Sequence, residues 1–171
     1  MGRRQRRARR GLGSRETGPG ERPRDSSAVT RRFAVDTAVF AYALGDSHHY
    51  REPCQAVVLA AGRGEFSLHA SWELIQELLF HRMRRVERPL AVQQARAAID
   101  LLELYDVDRS VVNRSMELIL FHQGILGRDA LHAATAIEHG LAVMISPDTA
   151  FDGVPGLERV DPIDLDLAAD D

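Results

Sequence analysis

"RDALHAATAIEHGLAVMISPD", residues 128–148, reads as a helix and a strand joined at one glycine. The helix runs from Asp129 to His139 and stops at Gly140, the residue type that most readily ends a helix. "LAVMIS" follows as a short apolar strand. One acid, Asp129, opens the helix, and another, Asp148, follows the strand at once.

Upstream, the same alternation recurs. "FAVDTAV", residues 33–39, reads as a first strand, since β-branched and aromatic residues suit a covered, pleated surface. A helix is expected near 52–62, closed by Gly62, then the strand "EFSLHAS" and the helix "SWELIQELLFHRMRRV". Another helix starts at Pro89 and runs to about residue 103, "YDVD" forms a third strand, and a helix from Ser110 to Gln123 ends at Gly124. Strands alternating with helices in this way predict a doubly wound α/β chain with a mostly parallel sheet.

Such a sheet binds ligands outside the carboxyl ends of its strands. Asp36, in the later half of strand one, is the acid hardest to explain otherwise. A buried carboxylate costs several kcal/mol unless an arginine, an amide-rich turn or a metal ion compensates it. Asp129 alone would suit the positive end of a helix dipole, and Asp148 alone a turn or cap. Together the three acids repel one another and call for a cation, and hard oxygen donors suit Mg²⁺ or Mn²⁺.

Composition removes several chemistries. The 171 residues contain no lysine, which excludes a Walker lysine, a Schiff base and a Ser-Lys dyad. A single cysteine, Cys54, forbids an intrachain disulfide and suits a reducing cytoplasmic location. No apolar run reaches the roughly 18 residues of a membrane span, and the basic N-terminus lacks the apolar segment of a secretory signal. His48 and His49 lack partners at zinc spacing, "GRGE" is too short for a phosphate loop, and Ser71 with His69 has no acid at a triad spacing.

The net charge of −3 conceals two halves. Residues 1–32 carry eleven arginines against three acids, a balance of +8; the remainder balances at −11. Residues 1–32 hold too little apolar surface to fold alone and read as a disordered arginine-rich tail, able to contact nucleic-acid phosphates. Residues 33–162 form the domain, and 163–171 read as a solvated acidic tail.

"FAVDTAVFAYA", "SWELIQELLFHR", "GILGRDALHAATAIEHGL" and "ISPDTAFDGVPGLERVDP" resemble, in order and spacing, the motifs of the PIN-domain ribonucleases, and most closely the VapC-type toxins of toxin–antitoxin pairs. The resemblance implies a three-layer α/β/α fold with four to five strands. It implies catalytic and metal-binding roles for Asp36, Glu77, Asp129 and Asp148, with Asp152 as an outer member and Thr37 and Ser146 in support. It further implies a Mg²⁺- or Mn²⁺-dependent endoribonuclease, a homodimer, and a small antitoxin that blocks the cleft.

Pattern and resemblance part at Glu77. At about 100° per residue, Glu73 and Glu77 share a face opposite a stripe of Trp72, Ile75, Leu79 and Met83, so pattern makes Glu77 a solvated residue. Only the resemblance prefers it to Glu73. Arg82, Arg84 and Arg85, with Arg51 and Arg128 as further candidates, are the expected grips on RNA phosphates. Two rivals stand beside the nuclease. One is a degenerate PIN module that binds RNA or protein without cutting. The other is an aspartyl-phosphate hydrolase, which would place a second Asp where Ala38 stands.

Overall fold

The structure, a computed structural model, describes residues 31–167. The expected disordered tail falls almost wholly outside the described residues.

Five strands, β1 (Arg32–Val35), β2 (Ser67–Ser71), β3 (Leu102–Tyr105), β4 (Val143–Ile145) and β5 (Glu158–Val160), form one sheet in the order β3-β2-β1-β4-β5. Every pairing is parallel. Six helices connect them: α1 (Thr37–Ala43), α2 (Arg51–Gly62), α3 (Trp72–Met83), α4 (Arg88–Leu101), α5 (Arg109–Phe121) and α6 (Gly127–Glu138).

Two cores result, one on each face of the sheet, because neighbouring residues of a strand point to opposite faces. Val35 and Ile145 join the core under α1 to α4, whereas Ala34 and Met144 join the core under α5 and α6. Alanines line the buried side of α6 at Ala130, Ala133, Ala134 and Ala136, so that helix lies close against the sheet. This is the three-layer α/β/α arrangement, with five strands.

Several boundaries differ from the sequence reading. β1 ends at Val35, not at residue 39, and Thr37 already begins α1. The buried positions Val39, Phe40 and Ala43 are spaced as one helix face rather than as alternating strand positions. The third strand is "LELY", and Asp108, expected within it, instead caps α5 by accepting from the backbone N–H groups of Ser110 and Val111. On α3 the buried stripe is Leu74, Ile75 and Leu78, with Arg82 beside it; Trp72 and Met83 are 46% and 47% exposed. Near the C-terminus, Leu165 and Leu167 are half-buried against the first core, so core packing extends beyond residue 162.

Candidate active site

β1 leads to β2 and β3 on one side, while β4 and β5 lie on the other. The order therefore reverses between β1 and β4, and the crevice outside their carboxyl ends is where an open α/β sheet takes its ligand. Asp36 is the first residue after β1; Ser146 and Asp148 come directly after β4. The Asp36 N–H donates to the Ile145 carbonyl at 3.1 Å, which ties the two strand ends together.

Asp36 stands at the N-cap position of α1, yet its carboxylate makes no capping bond there. Instead Oδ2 accepts from Ser146 Oγ at 2.9 Å. Ser146 is fully buried, and its hydroxyl oxygen also accepts from the Asp148 N–H at 2.9 Å. One hydroxyl thus fixes two acids. Ser146→Ala is expected to lower divalent-ion affinity about 10-fold, the lower end for loss of an outer-shell partner, and to cost about 1–3 kcal/mol of stability by removing the hydroxyl donor of the buried Asp36 carboxylate. Calorimetric titration and thermal melts read the two effects.

Asp129 projects from the first turn of α6, and no donor reaches its carboxylate among the described residues. Burial, then the charges of Asp36 and Asp148, push it up to about 6. Asp36 is only 5% exposed and is also raised, by burial first, against the lowering influence of His132 and the Ser146 hydroxyl. No arginine forms an ion pair with Asp36 or Asp129 among the described residues. The arginine partner that would explain a buried Asp36 is therefore not what compensates it.

Glu77 is held from all sides. Its Oε2 accepts from Thr37 Oγ1 at 2.8 Å and lies 3.2 Å from His132 Nε2; Oε1 accepts from Arg128 Nη1 at 3.1 Å. The His132 contact leads the causes that hold this carboxyl down to about 2, despite partial burial. Glu73 lies further out and, among the described residues, meets only Arg128, Nε to Oε1 at 3.0 Å. Glu77→Gln should therefore lower both melting temperature and cleavage, the latter by about 100-fold or more, whereas Glu73→Gln should change either little, since exposed pairs contribute ~0–1 kcal/mol. Equal behaviour of the two variants in melts and cleavage assays would move the helix acid to Glu73.

Asp36, Glu77, Asp129 and Asp148 line one open cleft of about 470 Å³, together with Arg85 and the loop after α1. As placed, no three His, Cys, Asp or Glu side chains are drawn together into a ready ligand cage among the described residues. The donors are nonetheless carboxylate oxygens with little to neutralise them, the kind of set that hard divalent cations take.

The remaining candidates separate. Asp152 pairs with Arg159, which also donates to the Ser146 carbonyl at 3.0 Å and to Asp161 at 3.3 Å. Arg82 is 5% exposed, with Nε donating to Gln94 Oε1 at 2.8 Å, and is absent from the cleft lining. Arg84 lies exposed over the Phe80 ring, 5.0 Å from its centroid, and Arg51 is exposed at the start of α2. Arg85 alone of the three adjacent candidates lines the cleft. Cys54 is buried, its thiol pushed up to about 12 by burial, which leaves it inert.

Two further residues belong to the site. His132 is buried and meets Glu77 and Thr37; its spacing of three from Asp129 on one helix is the signal in the sequence. Arg159 carries little local signal: Asp161 is two residues on, but Ser146 and Asp152 come from the segment after β4.

A family model described as PIN domain matches residues 33–157. A VapC ribonuclease of Mycobacterium bovis and Ribonuclease VapC13 of Mycobacterium tuberculosis are each 31% identical to this chain over 128 residues, covering 74% of it and 97% of the relative. Among solved structures, VapBC2 from Rickettsia felis, bound to a DNA fragment from its promoter, superposes with a TM-score of 0.59 at 19% identity, covering 76% of this chain and 98% of that one. VapC20 of Mycobacterium tuberculosis, described as a Sarcin-Ricin loop cleaving toxin, gives 0.59 at 15% identity, covering 73% and 98%. With a five-stranded parallel sheet, acids gathered at its switch point and a family match over most of its length, this chain belongs to the PIN-domain family and groups there with the VapC ribonucleases.

Proposed function

We propose that this chain is a VapC-type toxin, a divalent-metal-dependent endoribonuclease that hydrolyses RNA phosphodiester bonds and is inhibited by a small cognate antitoxin. The observation that carries this reading is the set of carboxylates of Asp36, Asp129 and Asp148 at the sheet's switch point, buried or facing one another without an arginine.

PIN-domain VapC nucleases generally use divalent metal ions. Asp36, Asp129 and Asp148 would hold such an ion, with Glu77 beside them; the all-oxygen set favours Mg²⁺ or Mn²⁺. Arg128, 45% exposed at its side chain, forms a weak pair that a dication can replace at Glu77 Oε1. When bound, the ion supplies a water of lowered pKa and stabilises negative charge on the departing oxygen. The chain's own residues do the rest. Ser146 orients Asp36 and Asp148, Thr37 and His132 orient Glu77, and Arg85 stands in the cleft where a phosphate must lie. This chemistry requires no protein nucleophile, which fits the absence of lysine and the inert Cys54 thiol.

The outer face of α5 supports a homodimer: Val112, Met116, Ile119 and Leu120 are spaced along one exposed side, and Phe121 is 86% exposed. The buried lone thiol suits a cytoplasmic setting, and no helix among the described residues is long and apolar enough to cross a membrane. The catalytically degenerate module keeps one observation in its favour, the absence of a preformed three-ligand cage among the described residues. Sequencing RNA 5′ ends after induced expression decides between them. New ends that vanish in Asp36→Asn support the nuclease; an unchanged end profile with RNA still bound supports the degenerate module.

A further inference from the structure

Four rings gather at the end of α1 and on the loop that follows it. Tyr42 and His48 line the same cleft as the acids. Their rings stack with centroids 4.6 Å apart and planes 19° from parallel. His49 lies 4.3 Å from both His48 and Tyr50, at 35° and 40°. Both imidazoles are exposed, whereas Tyr42 and Tyr50 are half-buried and pack against the first core.

The arrangement is fixed from beneath. The Tyr50 N–H donates to His48 Nδ1 at 3.3 Å, and the Arg51 N–H donates to the His48 carbonyl at 2.9 Å. Tyr50 Oη donates to Asp161 Oδ2 at 2.8 Å, and Arg159 holds that same Asp161 oxygen while also donating to the Ser146 carbonyl. A chain of polar contacts thus connects the ring cluster to the residue that orients Asp36 and Asp148.

We propose that His48 and His49, backed by Tyr42 and Tyr50, form a platform on which an unpaired RNA base next to the scissile phosphate stacks. The proposal rests on the ribonuclease reading. The cleft is acidic, and Arg85 is the arginine that lines it, so phosphate contacts contribute little affinity close to the reacting bond. Flat π faces supply affinity without charge, and they accept any base, because every base has such a face. A paired base is already stacked inside its duplex and cannot reach a ring on the protein. The platform therefore selects for unpaired segments without demanding a sequence.

The test uses the full chain and a short single-stranded RNA that it cleaves. His48→Ala/His49→Ala is expected to raise KM about 10- to 100-fold, the range of one lost base stack, with kcat changed less than about threefold. His48→Phe with His49→Phe should restore KM, since phenylalanine keeps the π face and nothing else. A single abasic nucleotide, scanned along the RNA, should weaken wild-type binding at one position by the same factor and have no further effect in the double-alanine variant. Unchanged KM, failure of the phenylalanine rescue, or an abasic effect that persists in the variant would overturn the proposal. If wild type cleaved no RNA at all, the ribonuclease reading would fail separately; fluorescence anisotropy of the same oligonucleotides on the same variants would still decide whether a base stacks there.

Discussion

Asp36→Asn is expected to reduce RNA cleavage about a thousandfold or more, equivalent to ~4 kcal/mol of transition-state stabilisation, while the metal-free protein melts no earlier than wild type. Asparagine keeps the shape and can still accept the Ser146 hydroxyl bond. It removes the charge that would hold the cation. It also removes a carboxylate that burial makes costly to ionise, so stability without metal should hold or rise. Had Asp36 answered a buried arginine, the same change would cost about 3–5 kcal/mol. Melts with and without Mg²⁺, alongside single-turnover cleavage, separate the two. A large fall in melting temperature with cleavage retained by the folded fraction would remove Asp36 from the metal site.

Asp129→Asn should oppose activity and stability in the same way, with a pH signature. The folded carboxyl titrates near 6, above its ordinary value of 3.8. Between those values the folded state holds a proton that the unfolded chain has lost. The associated stability is complete below the ordinary value and disappears as pH rises through about 6. At pH 8 the metal-free wild type therefore carries an ionised, crowded Asp129, and the asparagine variant should melt later, by on the order of a few degrees. Cations reverse the preference, because they bind the ionised form. At subsaturating Mg²⁺, the wild type's ion affinity should fall as pH drops below about 6, because the proton and the ion compete for the Asp129 carboxylate. The variant should show neither the activity nor the Mg²⁺-dependent gain in melting temperature. A Mg²⁺ affinity, read by calorimetric titration, that is flat from pH 5 to 7.5 would argue against Asp129 as the titrating ligand.

The fold class was legible because it depends on local pattern. Glycines at the ends of helical stretches and short apolar runs between them marked most of the parallel α/β alternation. α1 was the exception: Val35, Val39 and Phe40 read equally well as strand or helix over so short a run. What separated them was the core, which takes Val39, Phe40 and Ala43 from one helix face. On α3 the apparent stripe of Trp72, Leu79 and Met83 gave way to Leu74 and Leu78 for a similar reason. Large side chains do not have to be buried, and the neighbours of α3 decide which face is covered.

The sequence by itself determined the alternation of elements, the absence of lysine and thiol chemistry, and the association of acids with the first and fourth strands. Those features follow from residue type, backbone propensity and spacing along the chain. Only the tertiary structure decided which groups meet. It placed Asp36 at the head of a helix rather than within a strand, and set Ser146 between two acids. It gave Glu77 the donors that Glu73 lacks, and turned Arg82 toward Gln94. It also drew Asp161 from the end of β5 to the Tyr50 hydroxyl, 111 residues away in sequence. Contacts of that separation are made when strands join the sheet, and nothing in the local sequence encodes the distance that the sheet closes.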